Sequence, residues 1–324
     1  MATEFKTASR SMEQMVIAKQ EIDDIFAAVK GKDGRINPKG LRELSENKFE
    51  IAEVLIQLIQ DEVAFTDPTP FLVDQRDGVL GDDFVWQEIS SVLRVVSRSP
   101  GSRPHSQRLT FREYGLTTSQ FEIGVDVPLE KIATGRITAS MVVEQMAEAI
   151  NRRRVAMVLS GLDAGVPSSN DRSGVAGFTL RYAALTLANL DNAVDGLLDE
   201  AGKCTIFGRQ VALSGIRNFA NWSDFSLTEF EHRGQIGQYR GQPVVTLVDR
   251  TSQRVQSHLI SAKKVYLVGE QVSSQPGTIL VTKDLGFLGY AEVDAKAAVF
   301  TTGIRLEDGL LVRDAYQYRI ITLP

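Results

Sequence analysis

With 324 residues, 43% of them hydrophobic and 24% charged, the chain has ordinary globular composition and enough length for one or two domains with substantial cores. A formal charge of -5 excludes a protein that coats nucleic acid through a concentrated basic surface, although local basic faces are compatible with it. The single cysteine, Cys204, excludes an intramolecular disulfide, and three scattered histidines form no local cluster of soft metal ligands.

The first residues, MATEFKTASRSMEQM, lack the apolar core of a secretory signal. No stretch reaches the roughly 18 apolar residues that a membrane span requires. The expectation is a protein made in the cytoplasm with no membrane partner. Residues 10–30 read as a helix, with apolar positions at Met12, Met15, Val16, Ile22, Ile25, Phe26 and Val29. GKDGRINPKG interrupts it, and residues 41–65 form a second amphipathic helix. The interruption is no calcium loop. With Gly34 at the sixth position, Val29, Gly31 and Gly40 fall at positions 1, 3 and 12, and none presents a carboxylate. Two helices at this length suggest an arm or a packing element, not an independent domain.

Strand formers dominate residues 84–98, and a roughly two-fold alternation of Leu109, Phe111 and Glu113 with Thr110, Arg112 and Tyr114 follows the polar SPGSRPHSQ. This reads as a long polar hairpin that buries little against its own chain and needs a neighbour for order. The longest helix signal begins at a capping Thr138 and runs to Gly161 or Gly165, with Met141, Val142, Gln145, Met146, Ala149 and Ile150 as one stripe. Arg152, Arg153 and Arg154 point from several of its faces, as a solvated or ion-paired surface or as a contact to nucleic acid. Beyond the loop at 166–177, LTLANLDNAVDGLLDEAG is a helix candidate, KCTIFGRQVAL a strand candidate and SGIRNFANWS a further helix candidate. QPVVTLV and KKVYLVG are strands, and residues 278–324 are almost wholly strands and tight turns. The class is α+β, without an internal repeat.

Chemistry-bearing constellations are sparse. G-x-S-x-G, H-E-x-x-H, the phosphate-binding G-x-x-x-x-G-K-[ST] and C-x-x-C are all absent. Cys204 sits in a strand-like context as a buried small hydrophobe, with nothing placing a base beside it. His105, His232 and His258 read as polar surface histidines, and a hydrolase built on Cys204 or His232 is the weakest alternative. Asp191, Asp195, Asp199 and Glu200 share a helix, as surface carboxylates do. In EHRGQIGQYRGQPVVTL the glycines at 234, 237 and 241 miss the dinucleotide spacing, and suit turns feeding a strand at 243–248 with Arg233 and Arg240 outward. No enzyme, cofactor or metal site emerges.

The order of these elements resembles the major capsid proteins of tailed bacteriophages with the Hong Kong 97-type fold, a family that includes encapsulin shells. FEIGVDVPLEKIATG resembles the segment where that family's extended loop rejoins the peripheral domain. RQVALSGIRNF resembles its axial strand and helix, and Gly241 to Val244 its short turn into a strand. The resemblance covers about four fifths of the chain, mostly as element order.

It implies an N-terminal helical arm at 1–60 and an extended loop at 84–122. A peripheral domain would comprise 61–83, 123–175 and 262–324, with a spine helix at about 136–162, and an axial α/β domain 176–261. The implied function is a major capsid protein that assembles as pentamers and hexamers into an icosahedral shell around phage double-stranded DNA, with an encapsulin-type nanocompartment shell as the alternative. Arg98, Arg103, His105, Arg108 and Arg112 would be inter-subunit contacts of the extended loop, and Arg233 and Arg240 axial contacts. Arg152, Arg153 and Arg154 would face the DNA without reading bases. Residues 1–60 are short for the family's cleavable coiled coil, so a separate scaffolding protein and a portal are expected; decoration proteins are left open. Residues 84–122 contain no lysine, which departs from relatives that crosslink through one. The implied location is the virion, assembled in the bacterial host cytoplasm.

Overall fold

Asn37 opens the first well-defined helix. Its side chain accepts from the Lys39 backbone N–H at 3.1 Å, and Pro38 occupies the first turn, where a missing N–H costs nothing. The structure is a computed structural model, and it describes residues 36–67, 69–78, 84–89, 110–167, 179–218, 237–247, 260–269, 278–283, 288–294, 298–312 and 315–324, with several positions between 17 and 30. Helix α1 (Pro38–Glu46) ends at Asn47, whose ψ of 12° leaves the helical range while its N–H still bonds Glu43, and α2 (Lys48–Thr66) begins at once. The helix expected at 41–65 is thus two helices about one asparagine hinge.

The face of α2 carrying Ile51, Ala52, Leu55, Leu58, Ile59 and Val63 is buried against the long helix and a sheet. The five larger of these side chains, at roughly 2 kcal/mol each, make a gross term on the order of a whole domain's net stability. Phe26 and Val29 join the same core, the Phe26 ring standing edge-on to Phe300 at 5.4 Å. Of the arm and the packing element expected, the described residues from Phe26 onward form a packing element, because an apolar face of that size must be covered and is covered within the chain.

Two sheets follow. The first is built on β12 (Val299–Val312), which carries β11 (Leu288–Asp294) and β10 (Thr278–Lys283) end to end along one edge and β4 (Ser119–Pro128) along the other, all antiparallel. β1 (Asp74–Gly78) adds to β10 in parallel. Alternation along β4 sends Phe121, Ile123, Val125 and Val127 toward the core and Gln120, Glu122 and Asp126 to solvent. The second sheet has the order β5 (Arg181–Tyr182), β13 (Tyr318–Thr322), β9 (Lys264–Gly269), β6 (Cys204–Gly208), β8 (Gln242–Thr246), β7 (Gln238–Tyr239). This corrects the boundary at 262: β9 and β13 do not join the first sheet. β9, buried along nearly its whole length, takes the centre of the second sheet between β6 and β13, and an apolar run does not say which sheet it enters.

After the short α3 (Leu129–Ala133), α4 (Ala139–Gly165) spans 27 residues, about 40 Å. Its first half packs in the core of the first sheet, and its second half, from Val155 to Leu162, packs with Phe207, Tyr266, Val268 and Ile320 of the second. One helix thereby joins both layers. Its buried stripe runs through Val142, Val143, Met146, Ala147, Ile150 and Arg154; Met141, Gln145 and Ala149 of the expected stripe face solvent, one step round the helix. The far face of the second sheet is covered by α5 (Leu187–Ala201), with Leu190, Ala193, Val194 and Leu197 inward. The short α6 (Gln210–Leu213) lies where KCTIFGRQVAL was expected to continue as a strand, which ends at Gly208, and the start of the helix expected at SGIRNFANWS is a 3-10 turn, Ser214–Asn218.

Candidate assembly interfaces

Strands β2 (Phe84–Ile89) and β3 (Phe111–Leu116) form a two-stranded antiparallel ribbon with Phe84 opposite Leu116 and Ile89 opposite Phe111. Its base is anchored: Phe84, Trp86 and Leu116 pack with Ile279, Val281 and Leu311 of the first sheet. Arg76 lies 5.1 Å from the Trp86 ring. On the opposite face Val85 and Phe111 are exposed, and Gln87 donates to Glu113 at 2.8 Å. A two-stranded ribbon of this kind is marginal on its own. The ribbon ends at Leu116, and from Ser119 the chain belongs to the first sheet, which moves the expected limit of 122.

Where the layers meet, the polar groups are tightly bound. Arg154 is buried, with Nε 3.1 Å and Nη2 3.2 Å from the Asp308 carboxylate on β12 and Nη1 3.6 Å from Asp67 after α2. Three chain segments thus converge on one guanidinium. Asp163, near the end of α4, takes Lys264 at 2.7 Å and the Tyr266 hydroxyl at 3.2 Å, while Arg181 bonds the carbonyls of Asp163 and Val166. Burial, with the Asp163 charge beside it, pushes the Tyr266 hydroxyl well up.

At the edge of the second sheet, Arg240 and Gly241 turn the chain between β7 and β8 with φ of 49° and 77°. Glycine adopts that region freely; arginine does so here while held by Asp195 at 2.9 Å and Asp191 at 3.1 Å on α5. The Tyr239 hydroxyl donates to Asp191 at 2.8 Å, and its burial beside that carboxylate raises it strongly. The hydrogen bond that Arg240 donates to Asp195 raises its guanidinium too. Spacing alone places the two aspartates on one face; their shared partner lies about fifty residues away and is not legible in the sequence.

No sequence-family model matches the chain, and no curated protein sequence does either. Solved structures do. The capsid of an empty GTA particle superposes with a TM-score of 0.57 at 9% identity, covering 79% of this chain and 89% of that one. The mature capsid of bacteriophage PhiM1 gives 0.54 at 9% identity, over 80% and 87% of the two chains. A structure of Microbacterium phage Oxtober96 gives 0.52 at 11%, over 80% and 91%. The chain has the Hong Kong 97-type capsid fold.

Within this Hong Kong 97-type subunit the residues singled out from sequence fall in different settings. Arg112 is exposed on β3, whereas Arg98, Arg103, His105 and Arg108 lie outside the described residues, as do Arg233, His232 and His258. Arg240 is at the surface but engaged with α5. Arg152 borders an open groove with Glu62, Glu144, Glu148 and Asn151, and Arg153 is exposed with its guanidinium 4.7 Å from the Phe121 ring. Arg154 is corrected: it is buried in ion pairs and presents no charge to a ligand. Cys204 is buried in β6, and burial raises its thiol to about 11, far from a nucleophile's range. Among the described residues, no three histidine, cysteine, aspartate or glutamate side chains gather to hold a metal, and no helix is long and apolar enough to cross a membrane.

Proposed function

We propose that the chain is the major capsid protein of a tailed phage or phage-like particle, and that it assembles as pentamers and hexamers into an icosahedral shell around double-stranded DNA. The observation that carries this is the likeness of about four fifths of the chain to subunits of capsids, each nearly covered in turn. In this reading α4 is the spine helix, the first sheet the peripheral domain, the second sheet the axial domain, and residues 84–118 the extended loop that reaches a neighbouring subunit. The exposed Val85 and Phe111 of the ribbon support that assignment, since a partner copy would cover them.

The mechanism is accumulation of modest contacts multiplied by symmetry. Arg98, Arg103, His105, Arg108 and Arg112 act between subunits, and Arg233 together with the turn at Arg240 acts around the axial centres. Arg152 and Arg153 face packaged DNA without sequence readout, which a chain of net charge -5 permits because confinement needs no tight grip. A scaffolding protein and a portal are the partners of this reading, with decoration proteins left open, the virion its location and the host cytoplasm its place of assembly. The role is structural, not catalytic.

Electron microscopy of nuclease-treated protein, expressed alone and with a neighbouring scaffold gene, tests the proposal. Closed shells tens of nanometres across are expected. Shells filled with protein cargo would replace the phage reading with a nanocompartment, and a stable monomer or dimer in both conditions would overturn the shell reading itself.

A further inference from the structure

The ribbon base covers the outward face of the first sheet at Ile279, Val281 and Leu311. Among the described residues, no element packs on that face around β11 and the facing parts of β4 and β12. Register places Glu122, Gly124 and Asp126 of β4 beside Arg305, Gly303 and Thr301 of β12, and these beside Leu288, Tyr290 and Glu292 of β11. Alternation puts all of those outward-pointing positions on one side. The middle row is Gly124, Gly303 and Tyr290. A Cβ on Gly303 would fall 2.5 Å from Tyr290 Cζ, and one on Gly124 would fall 3.2 Å from its hydroxyl. The two glycines therefore let the ring lie flat across β12, and Tyr290 as a whole remains 42% exposed to solvent.

Carboxylates surround that ring. Glu122 meets Arg305 at 3.4 Å, which answers one charge, and Asp126 accepts a neutral hydroxyl from Thr301 at 2.7 Å. Glu292 stands two strands from Asp126, about 10 Å away at ordinary strand spacing. A flat aromatic face ringed by carboxylates is the complement of a guanidinium, which stacks on a ring while its edges donate to oxygen.

The chain itself carries the matching chemistry. Residues 90–109 contain Arg94, Arg98, Arg103 and Arg108 with His105, and no aspartate or glutamate, in a protein that is acidic overall. We propose that the outward face of the first sheet is a guanidinium-binding shelf for the arginine-rich segment 90–109 of a second copy of this chain, with Tyr290 as the stacking surface and Glu292, Asp126 and Glu122 as counter-charges. This rests on the shell reading and adds to it the chemistry and location of one contact. The arginines find no sequence-specific pocket; they find a ring and three carboxylates on a rigid sheet.

The test uses the full chain bearing Arg98→Gln, Arg103→Gln and Arg108→Gln, titrated with a labelled peptide of residues 94–108. Binding is expected, weakening as salt rises and falling roughly five- to thirtyfold with Tyr290→Leu. Adding Glu292→Gln and Asp126→Asn lowers it further. No binding, or equal binding to the altered shelf, overturns the proposal. If the altered shelf melts below the parent, a peptide with its arginines replaced by glutamine is offered to the intact shelf instead. Binding as tight as that of the arginine peptide then overturns the proposal, and weaker binding supports it. Shell formation separates second copy from same copy. Asp126→Lys with Glu292→Lys, and Arg98→Glu with Arg103→Glu and Arg108→Glu, each block assembly alone and assemble when the two chains are mixed. Rescue only when both reversals share one chain places the segment on its own subunit and overturns the second-copy assignment. If the unaltered chain forms no shells, the shell reading fails while the peptide titration still decides the shelf.

Discussion

Replacing Arg154 with methionine tests what holds the two layers at their junction. The guanidinium is 3.1 Å from Asp308 and 3.6 Å from Asp67, with both carboxylates and the arginine almost wholly excluded from water. At an effective dielectric of about 20, each contact carries roughly 5 kcal/mol of attraction, most of it offset by the cost of desolvating the charges. Removing the cation keeps the desolvation cost and discards the attraction, leaving two buried aspartates facing one another. The expected loss is about 3–5 kcal/mol, a large share of a typical domain's stability. Urea unfolding of the unassembled subunit measures it. A companion variant, Arg154→Met with Asp67→Asn and Asp308→Asn, removes the stranded charges and should recover at least half of the loss. If Arg154→Met costs less than about 1 kcal/mol, or the companion is no better, the ion pair is not what stabilises this junction.

Gly40→Ala should destabilise although alanine favours helices by about 1 kcal/mol, because the new Cβ would fall 2.0 Å from the Ala28 carbonyl oxygen, a backbone atom that cannot swing aside. A melting temperature equal to or above the parent's would contradict that packing. The Cys204 thiol should resist alkylation at pH 8 until the chain is denatured, as mass spectrometry of native and unfolded protein reports. The linked stability has a definite sign. The folded thiol titrates near 11 and the free one near 9.0, so the contribution is whole below pH 9 and is lost between 9 and 11, bounded at roughly 3 kcal/mol. Deleting residues 97–107 should lower shell yield and salt resistance while the subunit's melting point holds, since the anchored base is Phe84, Trp86 and Leu116. Unchanged shells after the deletion would remove the hairpin from the assembly contacts.

Local chemistry makes much of this chain readable. Thr138 caps α4, its hydroxyl accepting from Met141, and Thr186 caps α5 by the same bond to Asn189. Gly202, at a φ of 73°, ends α5 where the pattern LTLANLDNAVDGLLDEAG runs out. The reading of Cys204 as a small hydrophobe also rests on its neighbours, Thr205, Ile206 and Phe207, which make a strand wherever they are placed. Pairing is less legible. KKVYLVG and YRIITLP are unmistakable strands, yet their membership in the second sheet depends on partners about sixty residues or more away in β6 and about fifty away in each other. The shared clamp of Asp191 and Asp195 on Arg240, and the burial of Arg154 in a run of three arginines, are hidden for the same reason.

The sequence by itself determined most of the helices and strands, the capped starts of α4 and α5, and that no nucleophile or metal constellation is written in consecutive residues, because capping, periodicity and spacing are local interactions. Only the tertiary structure decided which of three adjacent arginines loses its water, which sheet an apolar strand enters, and that Tyr290 lies across two glycines from different strands. Those outcomes depend on contacts between residues far apart in the chain, whose energies come from burial and from the pairing of charges out of water, and neither exists until the chain has closed on itself.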